Sequence, residues 1–153
     1  MKHFQIHSEL DQVDQQILTI LSKDARISIS DLSRQVGLSA PSVSERIRRM
    51  EAQGVIEGFT VDVSPRALGY TLQAIVRVNP LPGMLHVVER LIQETPQFVE
   101  CDKVTGDDCF VCRLHLRSIE ELDQVLDQLA EKARTNTSIV KATPVKRRLP
   151  PLR

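Results

Sequence analysis

The feature that most constrains this fold is a change in hydrophobic periodicity near the middle of the chain. Up to residue 54, apolar residues recur at the three- and four-residue spacing of an amphipathic helix. From residue 70 onward, segments in which apolar and polar residues alternate are interleaved with helical ones, as in a half-buried sheet with helices. We therefore predict a helical domain over 1–54, a linker strand and turn over 55–69, and an α+β domain over 70–153.

The helical domain is predicted to contain three helices that are marked by their capping residues. Ser8 and Asp11 are candidate caps of the first helix, Ser28 of the second and Ser39 of the third. Gly37 supplies the turn between the second and third helices, because a residue without a Cβ tolerates the left-handed conformation. This arrangement predicts a helix-turn-helix in which the third helix crosses the second.

The third helix is the candidate reading element for double-stranded DNA. Val43, Ile47 and Met50 form its buried stripe, so the opposite face is open to a major groove. Arginine can bond guanine or phosphate, serine either base edges or phosphate, and glutamate cytosine. The alternative is a helical bundle whose arginine-rich face is merely solvated. The predicted DNA-binding residues are Arg34, Ser39, Ser42, Ser44, Glu45, Arg46, Arg48 and Arg49, with Arg34 and Arg46 assigned to phosphate.

Charge supports DNA binding only locally. The chain has 20 basic and 20 acidic residues, and residues 1–62 hold seven Lys or Arg against nine Asp or Glu. The basic residues of this half concentrate at 46–49. Because the electrostatic contribution of one copy is weak, we expect a dimer or larger assembly to sum the contacts.

The second half is predicted to have the order β-α-β-β-α-β of a ferredoxin-like fold. Its helices cover 84–94 and a stretch that begins at Ser118, and a Gly-Asp turn joins the middle strands in a hairpin. Both helices of such a fold lie on one face of the sheet, so the other face must be polar or covered. The predicted strands are 71–78, 98–105, 109–117 and 139–145, and a further strand is predicted within 55–63.

Several stretches of the chain resemble the Lrp/AsnC family of bacterial and archaeal regulators. They include LDQVDQQIL at 10–18, DARIS at 24–28, VGLS at 36–39, EAQGVI at 51–56 and VTGD at 104–107. The resemblance spans nearly the whole chain. It implies a sequence-specific transcriptional regulator with a winged-type helix-turn-helix, a ligand-sensing and oligomerisation domain, homodimers that assemble into octamers as tetramers of dimers, and an amino-acid effector.

The same resemblance places an effector site at the hairpin turn. Carried over by position, its residues are Thr105, Gly106, Asp107 and Asp108. A glycine-opened turn can offer backbone N–H groups to a carboxylate, and aspartates can receive an ammonium group. The alternative is an ordinary hairpin turn. Cys109 stands where the family commonly has Asp, which removes one polar contact.

Two other functions are alternatives to the regulator. Sirohaem decarboxylases resemble this family, and the residues available for such an enzyme are His86, His115, Arg77 and Arg113. A low-specificity architectural DNA protein is the second alternative. The intact arginine-bearing helix favours the regulator, so we predict no catalytic residues.

We predict no metal site, no cofactor beyond the possible amino-acid effector and no membrane partner. Cys109 and Cys112 form a lone C-x-x-C motif without further ligands at zinc spacing, so we interpret them with Cys101 as structural thiols. No apolar run approaches the ~18 residues of a membrane span, and no secretory leader is recognisable. These features predict a soluble, cytoplasmic protein. The basic, proline-containing tail at 146–153 is interpreted as a solvated end.

Overall fold

The structure is a computed structural model that describes residues 10–152. The described chain forms a helical unit, up to Val61 and again from Lys146, and a sheet unit, Asp62–Val145. The elements in chain order are α1 (Gln12–Leu21), α2 (Ile29–Val36), α3 (Ala40–Ala52), a short 3₁₀ turn (Pro65–Leu68), β1 (Leu72–Pro80), α4 (Leu85–Glu94), β2 (Phe98–Lys103), β3 (Phe110–Leu116), α5 (Ile119–Asp127) and β4 (Ala133–Ile139).

The helical unit begins its helices at the predicted caps. Asp11 Oδ1 accepts from the backbone N–H of Asp14 at 2.8 Å, and Ser28 Oγ accepts from that of Asp31 at 3.0 Å. Gly37 ends α2 with φ +70°, which favours glycine at this turn. The three predicted helices are therefore confirmed, whereas Ser8 lies outside the described residues.

A small apolar core holds these helices together. Its fully buried members come from all three helices, as the helical spacing of the apolar residues up to residue 54 predicts. Partly buried apolar residues that precede and follow α3 in the chain extend this core. The buried core residues are Ile17, Leu32, Val43, Ile47 and Met50.

The sheet unit is an antiparallel sheet of four strands in the order β2-β3-β1-β4. With α4 following β1 and α5 following β3, this is the β-α-β-β-α-β arrangement, so the predicted fold class is confirmed. Ser118 caps α5, as its spacing to Glu121 predicts. The helical spacing of 84–94 predicts that Met84 faces inward together with Val88; this is wrong, because Met84 is the N-cap of α4 and is 37% exposed.

One face of the sheet carries the core, and α4 and α5 cover it. Inward residues of β1 and β3 alternate strictly, and Val88 of α4 and Val125 of α5 pack on them. The opposite face is largely polar, and the cross-strand partners Ile75 and Arg113 lie on it, both half-buried. The buried strand residues are Ala74, Val76, Val78, Phe110, Cys112, Leu114, Leu116 and Ala133.

Two predicted strands are wrong. Residues 55–63 form no strand, because no strand among residues 10–152 pairs with them, although their apolar residues alternate. The last strand is Ala133–Ile139 rather than 139–145. This edge strand buries only Ala133, so its sequence carries no hydrophobic alternation to mark it.

Candidate functional site

Helix α3 is held with one face against the core of the helical unit and the opposite face exposed. Ser39 Oγ accepts from the backbone N–H of Ser42 at 3.3 Å and starts the helix, and Pro41 occupies its first turn at no cost in hydrogen bonding. Val43 and Met50 are completely buried. The helix is thereby fixed in rotation, and this rotation decides which predicted side chains remain accessible.

The predicted DNA-binding residues differ in how exposed they are on the helical unit. Most of them are exposed along one side of α3, and Arg34 is exposed on α2. Ser44 and Arg46 are half-buried. The exposed members on α3 are Ser39, Ser42, Glu45, Arg48 and Arg49.

A buried carboxylate on α1 binds two arginines of α3. The side chain of Asp14 is 1% exposed; its Oδ1 accepts from Arg46 Nη1 at 2.8 Å and its Oδ2 from Arg49 Nη2 at 2.7 Å. Oδ2 also accepts from the backbone N–H of Asp11 at 3.3 Å. Each oxygen thus has a partner, which is the condition under which a buried charge is tolerated. The result is an electrostatic link between α1 and the middle of α3.

Of these two arginines, Arg46 makes more ion pairs and is less exposed. It also donates to Asp11 Oδ2 at 2.6 Å, and its side chain is only 25% exposed. The backbone N–H of Asp14, followed by Arg46, lowers the pKa of Asp11, while the two carboxylates raise the pKa of Arg46. Sequence reasoning missed Asp14. Asp14 forms a capping box with Asp11, but its position three residues after Asp11 could not show that α3 lies beside it.

Arg48 and Arg34 have looser partners. Arg48 Nη1 donates to Glu45 Oε2 at 2.8 Å, and both side chains are mostly exposed, at 74% and 69%. Arg34 pairs with Asp31 one helical turn away, also in solvent. Such exposed pairs contribute about 0–1 kcal/mol, so these arginines can exchange a carboxylate for a phosphate or a base at little cost.

The predicted effector residues lie on the loop between β2 and β3. Gly106 has φ +120°, which explains why glycine stands at this bend. The loop is anchored at its base by the N–H of Val104, which donates to the carbonyl of Cys109 at 2.9 Å. Thr105, Gly106 and Asp107 are exposed and Asp108 is half-buried. The structure therefore brings these residues together on one loop.

Arg77 of β1 faces this loop. Its Nε lies 3.9 Å from Asp108 Oδ2, so the charge of Asp108 is partly balanced. Asp107, which is exposed, is the less compensated carboxylate of the pair. Arg77 could be placed beside the loop only once the pairing of β1 with β3 was known, and sequence reasoning did not connect them.

The residues considered for a sirohaem enzyme do not converge. Arg77, Arg113 and His115 lie on the uncovered face of the sheet. His86 is on α4, which packs on the other face, and its side chain is 92% exposed. Burial, and then the charge of Arg113, lower the pKa of His115. A cavity that uses all four side chains is not formed in the sheet unit.

The lone C-x-x-C motif does not assemble into a metal centre. Cys109 is half-buried and Cys112 is buried. Among residues 10–152, no three or more His, Cys, Asp and Glu side chains come close enough to hold a metal ion. Over the same residues, no helix has the length and apolar character that a membrane span requires.

The C-terminal tail, which was interpreted as a solvated end, lies against the helical unit. Leu149, Pro150 and Leu152 line a cleft of about 630 Å³ together with Gln16 and Thr19 of α1. Leu152 is half-buried there. Leu149, Pro150 and Leu152 are therefore partly covered by α1, whereas Lys146, Arg147 and Arg148 are exposed.

Two family models match the chain in succession. A winged helix-turn-helix DNA-binding model matches residues 10–57, and an Lrp/AsnC ligand-binding-domain model matches residues 73–150. The second match alone covers half of the chain. The order of the two models along the chain is that of the helical unit and the sheet unit.

Individual relatives agree with these models. The transcriptional regulator LrpC of Bacillus subtilis is 30% identical over 86% of this chain and 92% of its own. The structure of LrpC superposes with a TM-score of 0.85, covering 91% of this chain and 99% of that one at 29% identity. A feast or famine regulatory protein from M. tuberculosis, solved in complex with L-methionine, gives a TM-score of 0.84 at 28% identity, covering 92% and 97%.

Proposed function

This chain belongs to the Lrp/AsnC family of helix-turn-helix transcriptional regulators, and from that premise we propose that it reads specific duplex DNA through the exposed side of α3. We propose further that an amino acid bound near the 104–109 loop adjusts this binding. The protein regulates transcription rather than catalysing a reaction, and it acts on DNA in the cytoplasm.

The observation that carries the DNA proposal is the unequal pairing of the arginines on α3. Asp14 engages Arg46 and Arg49 from the α1 side and holds the helix in one rotation. That rotation leaves Arg48 and Glu45 exposed on the side away from the core. A recognition helix needs this combination, because base contacts lose their register if the helix can rotate.

Assembly into dimers is the second part of the proposal. The segment after α3 exposes Phe59, Val61 and Val63 at alternating positions, with Val61 at 80% exposure. A segment whose apolar residues alternate in this way has the sequence pattern of a strand without a neighbour. A second copy can supply that neighbour, and octamers follow as tetramers of such dimers. Two copies also double the weak phosphate attraction of a slightly acidic helical unit.

An amino-acid effector fits the chemistry of the 104–109 loop. The backbone N–H groups around Gly106 are suited to a carboxylate, and Asp107 to an ammonium group. The relative that was solved with L-methionine supports this ligand class. Because the loop is exposed in one chain, a partner copy would enclose the ligand. Cys109 stands where the family commonly has Asp, so we expect a ligand that needs no acidic side chain at this position.

The DNA proposal is tested with duplexes selected from a random library by the full-length protein. We expect one enriched sequence. On it, Arg48→Ala should weaken binding about 5- to 150-fold, equivalent to about 1–3 kcal/mol, with no change in melting temperature. Arg90→Ala, which removes an exposed arginine from α4, is the matched control for charge. Equal losses in both variants, or no enriched sequence, would favour the low-specificity architectural alternative.

The effector proposal is tested by thermal shift with each of the twenty amino acids. We expect at least one to raise the melting temperature, because a ligand of the native state stabilises it. Asp107→Asn should reduce that shift, whereas Asp127→Asn, an exposed aspartate at the end of α5, should leave it unchanged. No shift with any amino acid contradicts this part of the proposal and leaves the DNA test unaffected.

The assembly proposal is tested by sedimentation of the full-length protein. We expect a dimer or a multiple of it. Val61→Asp should shift the distribution toward monomer, because it places a charge in the alternating apolar segment. A wild-type monomer at micromolar concentration would refute the assembly model.

A further inference from the structure

Cys101 of β2 and Cys112 of β3 are direct cross-strand neighbours whose thiols touch. They are register partners in the antiparallel ladder, and their Sγ atoms lie 3.3 Å apart. Both lie on the helix-covered side of the sheet, so neither the 104–109 loop nor α3 uses them. This pair is therefore independent of the proposed function.

The backbone at this pair has the spacing that a disulfide requires. Val104 and Cys109 are a hydrogen-bonded pair, since the N–H of Val104 donates to the carbonyl of Cys109 at 2.9 Å. Hydrogen-bonded and non-hydrogen-bonded pairs alternate along an antiparallel ladder. Counted along the ladder from Val104 and Cys109, the pair Cys101–Cys112 is the third, after Lys103–Phe110 and Asp102–Val111. By this alternation Cys101 and Cys112 are a non-hydrogen-bonded pair, for which the Cα–Cα separation is about 4.5 Å. Disulfides span Cα separations of about 4.4–6.8 Å.

The two thiols differ in access, which sets the order of any reaction. Cys101 is exposed and lines a cleft of about 130 Å³ between α4 and β2, together with Glu89, Gln93 and Lys103. Cys112 is 1% exposed and sits in the core. A small oxidant can reach Cys101 from solvent, and Cys112 can then react only with Cys101.

We propose that Cys101 and Cys112 form a redox-active dithiol that a low-molecular-weight disulfide, such as glutathione disulfide, converts to a cross-strand disulfide. The Cys101 thiolate attacks one sulfur of the small disulfide, and one small thiolate leaves. Cys112 loses its proton and attacks Cys101 Sγ in the mixed disulfide, expelling the second small thiol. Two electrons pass to the small disulfide, and the products are one protein disulfide and two small thiols.

The surroundings of the pair favour a slow reaction. Burial raises the pKa of both thiols, and the carboxylates of Asp102 and Glu89 add to this effect at Cys101. The nearby ammonium of Lys103 is already paired with Glu89 at 3.3 Å, so it does not favour the Cys101 thiolate. Since the thiolate is the nucleophile, the rate of disulfide formation should rise with pH throughout the range above neutrality.

Cys109 is the control within the same hairpin. It stands opposite Val104, directly before β3 and three residues from Cys112, which corresponds to roughly 10 Å. The proposal therefore requires oxidation to spare Cys109.

Peptide mapping of the full-length protein tests the pairing. The protein is equilibrated with defined ratios of reduced and oxidised glutathione, alkylated and digested with trypsin. Cleavage after Lys103 and Arg113 places Cys101 in peptide 91–103, and Cys109 with Cys112 in peptide 104–113. We expect a linked pair of these peptides whose amount follows the glutathione ratio and which dithiothreitol abolishes. Fragmentation of the linked species should locate the bond at Cys112.

Variants distinguish the proposed pair from other thiol chemistry. The linked species should persist in Cys109→Ser and disappear in Cys101→Ser, in which the exposed member is replaced. Cys112→Ala should also lose it, and because fragmentation of the wild-type species identifies the same sulfur, the test does not depend on that core variant folding. A bond located at Cys109, a disulfide only between chains, or free thiols at every glutathione ratio would each overturn the proposal.

Discussion

The two units of this protein stabilise their cores by different means. The helical unit buries a charged side chain, Asp14, and a hydroxyl, Ser33, beside a small apolar cluster. Within residues 10–152 these are the only buried polar or charged side chains, so the larger core of the sheet unit is entirely apolar. The helical unit thus supplements limited apolar burial with directional ion pairs, whereas the sheet unit combines apolar packing with the hydrogen bonds of its ladder.

This difference shows which geometry each unit must keep fixed, the rotation of a helix in one and the register of the strands in the other. Apolar contacts tolerate small rotations of a helix, but two hydrogen bonds from Arg46 and Arg49 to the two oxygens of Asp14 do not. The proposed reading of DNA by α3 requires the helix to keep its rotation, and the buried carboxylate supplies that constraint. The strands of the sheet unit are already fixed in register by their ladder, so no buried charge is required there.

The largest expected effect comes from removing both arginines that pair with the buried carboxylate of Asp14. Arg46→Ala combined with Arg49→Ala leaves Asp14 buried without a cation, and should lower the opening free energy of the helical unit by about 3–5 kcal/mol. Native-state hydrogen exchange of amides in α1 and α3 measures this energy. Adding Asp14→Asn should restore part of the loss, because it removes the unpaired charge. Failure of that addition to restore any protection would show that the arginines stabilise by packing alone.

A cavity in the apolar core tests the other side of the comparison. Leu114 of β3 is completely buried, and Leu114→Ala should lower the opening free energy of the sheet unit by about 3 kcal/mol. Ile139→Ala, at the exposed end of β4, is the control and should change it by less than about 0.5 kcal/mol. Exchange of the β1 and β3 amides measures both variants. Similar losses in the two would mean that the edge strand contributes to an interface in the assembled protein.

The smallest expected effect is the response of the two units to acid. The backbone N–H of Arg117 and the amide of Gln97 lower the pKa of Glu121 from its ordinary value of 4.5. Hydrogen bonds likewise lower the pKa of Asp11 from 3.8. A carboxyl whose folded pKa is lowered contributes stability that is present above the unfolded pKa and lost as pH falls through the folded value.

Each unit should therefore lose stability as the pH falls below the ordinary pKa of its carboxyl. Glu121→Gln should flatten this loss in the sheet unit, and Asp11→Asn in the helical unit, because the neutral amides keep an acceptor without titrating. Melting temperatures measured in steps from neutral pH into this acid range test both variants. An unchanged slope in either variant would assign the acid response of that unit to other carboxyls.

Much of the fold was predictable because its signals are local. The helix starts at Asp11, Ser28, Ser39 and Ser118 depend on a side chain that bonds a backbone group three residues later. The strongly alternating strand β3 was predicted within one residue at either end. Strand β4 was missed because its polar sequence carries no alternation, and 55–63 was assigned a strand although pairing requires a neighbour.

The sequence by itself determined the two domain types, the family and the helix faces that form each core, since periodicity and capping act over a few residues. Only the tertiary structure decided that Asp14 engages Arg46 and Arg49 while Arg48 stays exposed, because residues more than thirty positions apart meet only when α1 packs on α3. The register of the β2–β3 hairpin likewise paired Cys101 with Cys112 rather than with Cys109. In both cases the chemistry of a side chain depends on which long-range neighbour the fold places beside it.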